Sequence, residues 1–128
     1  MSTLRTNALE GVDAKNSITI VAGAGNVTTT NVQEGLCKAW VQGSSDTTFR
    51  DTFNISSGTD NTTGDYTYAF SNNMGNDDYA CGGLVISSDP RFGNISGIAT
   101  GSYTVQYHNE SGSSRDVDNS TTIHGDLA

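Results

Sequence analysis

The stretch LCKAWVQGSSDTTFRDTFNISSGTDNTTGDYTYAF, Leu36 to Phe70, decides the fold class. It holds more than half of the aromatic residues of the chain: Trp40, Phe49, Phe53, Tyr66, Tyr68 and Phe70. Tyr66, Tyr68 and Phe70 alternate with Thr67 and Ala69, while Phe49, Phe53 and Ile55 share one parity around polar Thr52 and Asn54. A period of two marks a half-buried strand, because successive side chains point to opposite faces. Between the two patterns lies SSGTDNTTG, residues 56–64, a run of turn formers. The reading is two strands paired as an antiparallel hairpin across a long loop. The aromatic residues then belong to the frame of the fold and not to a site.

The same patterning continues on both sides. Upstream, Thr30 with Gln33 and Asn31 with Glu34 have capping-box spacing, and Val32, Leu36 and Trp40 would share a helical face. Gly35 limits this to a turn or two, followed by a strand from Cys37 to Gln42. Downstream, YACGGLVIS (79–87) reads as a strand with a glycine pair that marks a bulge. SYTVQYH (102–108) places Tyr103, Val105 and Tyr107 on one face, and STTIHGDLA (120–128) ends the chain with a short strand. Polar loops are expected at 56–64, 71–78, 88–97 and 109–119. Many short strands with repeated turn signals predict an all-β fold, a small antiparallel β-sandwich or barrel-like domain over residues 36–128.

Residues 1–35 differ in kind. MSTLRTNALEGVDAKNSITIVAGAGNVTTT contains no aromatic residue, and its one alternating run is SITIV, 17–21. A segment with so few large apolar side chains cannot build a core of its own. It is expected either to be an extended arm that docks on a partner or to be an edge strand of the same domain.

Composition narrows the function. The 128 residues fit one domain. The 34% hydrophobic content lies below the roughly 45–50% of ordinary domains, a range that also counts glycine. Fifteen glycines, one proline and abundant Ser, Thr and Asn disfavour helices. A net charge of −8 repels phosphate backbones, so no nucleic acid is expected as partner. No apolar run reaches the roughly 18–20 residues of a membrane span, so no membrane insertion is expected. MSTLRTNALEG carries no apolar signal-like run, and Cys37 and Cys81 are read as reduced thiols. The six Asn-x-Ser/Thr triplets follow from the composition.

Chemistry-bearing groups are sparse. His108 and His124 are the only histidines, and no G-x-S-x-G elbow accompanies them. Cys37 and Cys81 stand apart without metal-ligand spacing. GNDD (75–78) and DVDN (116–119) offer oxygen atoms but lack a twelve-residue calcium loop. GAGN (23–26) has no following lysine to make a phosphate loop. The expectation is a protein that is not an enzyme, with no catalytic residue, no metal and no cofactor.

KAWV (38–41), RDTFNISSGTDNTTGDYTYAFSNNM (50–74) and DDYA (77–80) together resemble a domain of bacteriophage tail-fibre proteins, especially those of marine and cyanobacterial phages. MSTLRTNALEG at the start and HGDLA at the end share the likeness more weakly. QGSSDTTF (42–49) departs from it, since many such proteins carry Asn-Phe-Asn-Gly there, and residues 82–119 carry no likeness. The resemblance implies a virion structural protein: a homotrimeric short fibre, attached to phage tail or capsid proteins through residues 1–35 and presenting a β domain to a host-surface glycan or protein. A capsid decoration or cement protein is the alternative. On this reading Tyr107, Asn109, Arg115 and Phe92 are the host-binding candidates. Leu4, Ile18, Ile20, Leu36 and Trp40 are the assembly candidates.

Overall fold

The structure, a computed structural model, describes residues 35–128 together with Ala8 and the two strands β1 (Thr19–Ala22) and β2 (Thr28–Asn31). The chain divides into two units, Met1–Leu36 and Cys37–Ala128. In the first, β1 and β2 pair antiparallel, Thr19 opposite Asn31 and Ala22 opposite Thr28. Of the helical turn expected after Thr30 and Asn31, the two starting residues lie in β2, where the β-branched run Thr28–Thr30 suits an extended chain, residues 32–34 lie outside the described residues, and Gly35 is helical. Of the assembly candidates, Leu4 and Ile18 lie outside the described residues, and Ile20 sits in β1 opposite Thr30.

The second unit is an antiparallel β-sandwich, and every regular element among its residues is a strand. The strands are β3 (Ala39–Gly43), β4 (Phe49–Phe53), β5 (Ile55–Thr62), β6 (Asp65–Phe70), β7 (Ala80–Ile86), β8 (Phe92–Ala99), β9 (Ser102–His108) and β10 (Asp118–His124). One sheet has the order β4-β3-β10-β7 and the other β5-β6-β9-β8. Hairpins stay within a sheet (β3–β4, β5–β6, β8–β9), and the remaining connections cross between sheets.

The alternation read from the sequence is the core. On β6 Tyr66, Tyr68 and Phe70 are buried, on β9 Tyr103, Val105 and Tyr107, on β3 Ala39 and Val41, and on β10 Asn119, Thr121 and Ile123. A tyrosine-rich core explains how a chain of low hydrophobic content closes. Each ring buries a large apolar area, and its hydroxyl needs a partner. Tyr68 donates to Asn119 Oδ1 at 3.0 Å, Tyr103 bonds Thr121 Oγ1 at 2.5 Å, and the Tyr66 hydroxyl takes the backbone N–H of Val117 at 3.1 Å. The Tyr79 hydroxyl lies 3.0 Å from the carbonyls of both Ala99 and Ser102.

Four strand and loop assignments are corrected. Phe49 and Phe53 do not share a face. The register shifts at Gln42/Gly43, so Phe49 packs on Tyr68 inside while Phe53 points out beside Trp40. Nor does β4 pair with β6. Asn54, at φ 56°, turns the chain from one sheet into the other, and pairing with β6 begins at Ile55. Asparagine tolerates this left-handed conformation, and its side chain bonds the carbonyls of Lys38 and Asn72 and the N–H of Asn72. Most of the predicted 56–64 loop is therefore β5, an edge strand whose Ser, Thr and Asp face water, and the turn is Thr63–Gly64. Likewise, β8 occupies most of the predicted 88–97 loop. Loops do occupy 71–78 and most of 109–119.

Candidate functional site

The two long sides of the sandwich differ. On one side the edge strands β4 and β5 are joined by the tight corner at Asn54. On the other, β7 and β8 are both free edges, linked by residues 87–91. The inward positions of β7 are Cys81, Gly83 and Val85, which lie opposite Ile123, Thr121 and Asn119 of β10. The inward positions of β8 are Gly93, Ile95 and Ile98, opposite Tyr107, Val105 and Tyr103 of β9. Gly83 and Gly93 supply no side chain to the gap. Neither could, since a Cβ on Gly83 would lie 2.6 Å from the Ser120 carbonyl, and one on Gly93 2.7 Å from the Tyr107 ring. The result is a cleft of about 300 Å³ between β7 and β8, open along the edge.

Apolar surface is gathered there. Leu84, Ile86, Phe92, Ile95 and Ile98 are exposed, Leu84 at 79% and Phe92 at 62% of their full areas. Leu84 and Ile86 lie on the outer face of β7, and Phe92 on the outer face of β8 opposite His108. Neither strand contains a charged residue, whereas the edges on the closed side carry Arg50, Asp51 and Asp60. Edge strands ordinarily guard against pairing with charges, prolines or bulges. β8 has one irregularity, between Ile95 and Gly97, and no other guard.

Two polar groups in the cleft wall stand out. Arg91 donates to Asp89 at 3.0 Å and to the Pro90 carbonyl at 2.9 Å, yet its buried Nε–H has no partner among the described residues. Tyr107 is the one tyrosine of the sandwich whose hydroxyl has no hydrogen bond among the described residues. Burial pushes the ionisation of Tyr107 up from the ordinary tyrosine range, and it pushes the Cys81 thiol, also in the cleft wall, up to about 11. A thiol held so high is almost wholly protonated at neutral pH and a poor nucleophile. Cys37 and Cys81 are not bonded to each other.

The host-binding candidates gather at one end of the β8–β9 hairpin, but they are not alike. Tyr107 is corrected: it is 4% exposed, with its ring in the core, because it shares the inward parity of Tyr103 and Val105. Phe92 stands in solvent. Asn109 follows β9, and its Oδ1 accepts from the N–H groups of Ser111 and Ser113, which organises its own turn. Arg115 is exposed, and its backbone N–H holds the Tyr107 carbonyl at 3.0 Å. Of the remaining assembly candidates, Leu36 is exposed, and Trp40 is half-buried on the outer face of β3 opposite Phe53.

The sequence reading passed over Leu84, Ile86, Arg91, Ile95 and Ile98. The signal available was a pair of charge-free strands, ACGGLVI and FGNISGIA, in a chain of net charge −8. Among the described residues, no three His, Cys, Asp or Glu side chains gather as a metal would require. No helix there is long and apolar enough to cross a membrane. Compared with protein-family models, curated proteins and solved structures, the chain matches none.

Proposed function

We propose that the chain is a non-enzymatic structural protein of a bacteriophage particle. It is a short homotrimeric fibre, attached through residues 1–35 to tail or capsid proteins and presenting its β-sandwich to a glycan or protein of the host surface. The observation that carries the reading is the uncovered β7–β8 side, with five large apolar side chains exposed on two charge-free free edges. Large apolar side chains exposed on both strands of one side offer surface for a partner, and a small chain gains buried area by association. The likeness to tail-fibre domains points the same way. Its residues, Lys38–Val41 and Arg50–Met74, fall in β3 to β6, so they make up the frame, while the edge strands β7 and β8 lie mostly in the part without likeness.

Within this reading Phe92, Asn109 and Arg115, together at one end of the sandwich, offer an apolar ring, an amide and a guanidinium to a host ligand.

The test is light scattering on the purified full chain, followed by antibody labelling of phage particles that contain it. Three chain masses in solution and label on the tail support the fibre. A monomer with label spread over the capsid would sink it in favour of a decoration protein.

A further inference from the structure

Building on this reading, we propose that the cleft between β7 and β8 is a subunit socket, closed by the β8 edge of a second copy. The free edge of β7 in one copy runs beside the free edge of β8 in the next. The apolar side chains of the neighbour enter the cleft, and a backbone carbonyl of its edge strand takes the Arg91 Nε–H.

The choice of occupant follows from charge and from polar satisfaction. Arg91 is already neutralised by Asp89, so its remaining donor calls for a neutral acceptor and not a second carboxylate. A peptide carbonyl is such a group, and edge strands present them in a row. A buried donor left unpaired is costly, which makes an acceptor from outside the chain favourable. A second copy suits the site better than an unrelated partner. Each chain carries −8, so two copies repel over most of their surfaces, but β7 and β8 contribute no charge to that repulsion. The edge also holds both halves of the contact: an open cleft lined by Val85 and Val105, and Ile95 and Ile98 exposed at the inward positions of β8. Joining β7 to a neighbour's β8 uses two different surfaces, and a heterologous contact with a 120° rotation closes as the ring that a trimer needs.

Cys81 in the cleft wall reports on the socket. The experiment uses the full chain in a Cys37→Ser background and follows mass by light scattering and Cys81 by a thiol-reactive dye. The expected result is a trimer whose Cys81 reacts at least about tenfold more slowly than in a dissociated Leu84→Asp variant. A 1.4 kcal/mol protection corresponds to that tenfold. Leu84 is almost fully exposed, so the variant should fold, and circular dichroism checks this. Arg91→Met should raise the trimer dissociation constant about tenfold or more, and Phe53→Asp, on the opposite edge, should leave it unchanged. A trimer that survives Leu84→Asp with Cys81 equally reactive overturns the socket and leaves the fibre reading intact. A wild-type monomer at all concentrations overturns both. A dimer overturns the heterologous pairing together with the trimer.

Discussion

The Tyr68 hydroxyl donates a 3.0 Å hydrogen bond to Oδ1 of Asn119, joining the two sheets in the middle of the core. Both residues are fully buried. The approach is possible because position 43 is glycine: a Cβ there would lie 2.9 Å from the Tyr68 oxygen. Asn119 also donates to the Val117 carbonyl at 3.4 Å. Tyr68→Phe strands a buried amide oxygen and should cost about 1–3 kcal/mol in urea unfolding. Asn119→Leu strands the hydroxyl and should cost a similar amount. The double variant should cost less than the sum, since it removes both polar groups. Simple additivity would mean that the bond contributes nothing of its own.

Gly64 and Gly112 both have positive φ, 71° and 78°. Around Gly112 there is open space, whereas a Cβ on Gly64 would meet the Tyr107 carbonyl at 2.6 Å and the Arg115 backbone at 2.8 Å. Gly112→Ala should therefore show the conformational penalty alone, about 1–2 kcal/mol. Gly64→Ala adds a collision with backbone that cannot rotate away, and should be the more damaging by at least about 2 kcal/mol. Equal midpoints in thermal unfolding would contradict this difference.

Much of this architecture was legible in the sequence because burial on one face forces period two. Tyr66, Tyr68 and Phe70, and Tyr103, Val105 and Tyr107, read as inward files and are so. The misreadings fall where that constraint is absent. β5 and β8 are edge strands with wet outer faces, so SSGTDNT and FGNIS look like loops. A single bulge and the left-handed Asn54 put Phe49 and Phe53 on opposite faces, and neither is visible in residue spacing. Tyr107 has the parity of Tyr103 and is buried with it, although a polar loop begins two residues on. The cleft depends on the convergence of β7 and β8 from different sheets, which local patterning does not contain.

The Asn54 corner gives a third prediction. The side chain holds the Lys38 carbonyl at 3.1 Å, the Asn72 carbonyl at 3.0 Å and the Asn72 N–H at 2.7 Å, while the backbone sits at φ 56°. Asn54→Gly relieves the backbone but loses these bonds together with the one that the Asn72 side-chain amide donates to Asn54 Oδ1 at 3.1 Å. Asn54→Ala loses the bonds and keeps the strain. Both should destabilise, the alanine variant more, by about 1 kcal/mol beyond the glycine. The reverse order in urea unfolding would show that strain at this corner is unimportant.

Alkaline pH should unfold the sandwich, and the five tyrosines set the direction. Burial raises the ionisation of Tyr66, Tyr68, Tyr79, Tyr103 and Tyr107 above the ordinary value of 10.0. A phenol whose folded pKa lies above its unfolded one binds its proton more tightly when folded. Its contribution is complete below pH 10, and it is lost as pH climbs from there toward the folded values. Stability should be nearly flat from neutral pH to about 9, then fall steeply as several phenols release protons together on unfolding. Phenolate absorbance and the loss of β-sheet circular dichroism should then rise in one transition. Tyr68→Phe and Tyr103→Phe would each make that fall shallower, though both lower stability at neutral pH by stranding Asn119 and Thr121. Tyrosines that ionise near pH 10 with the β-sheet signal intact would mean that the core rings are not sealed from water in the way their burial requires.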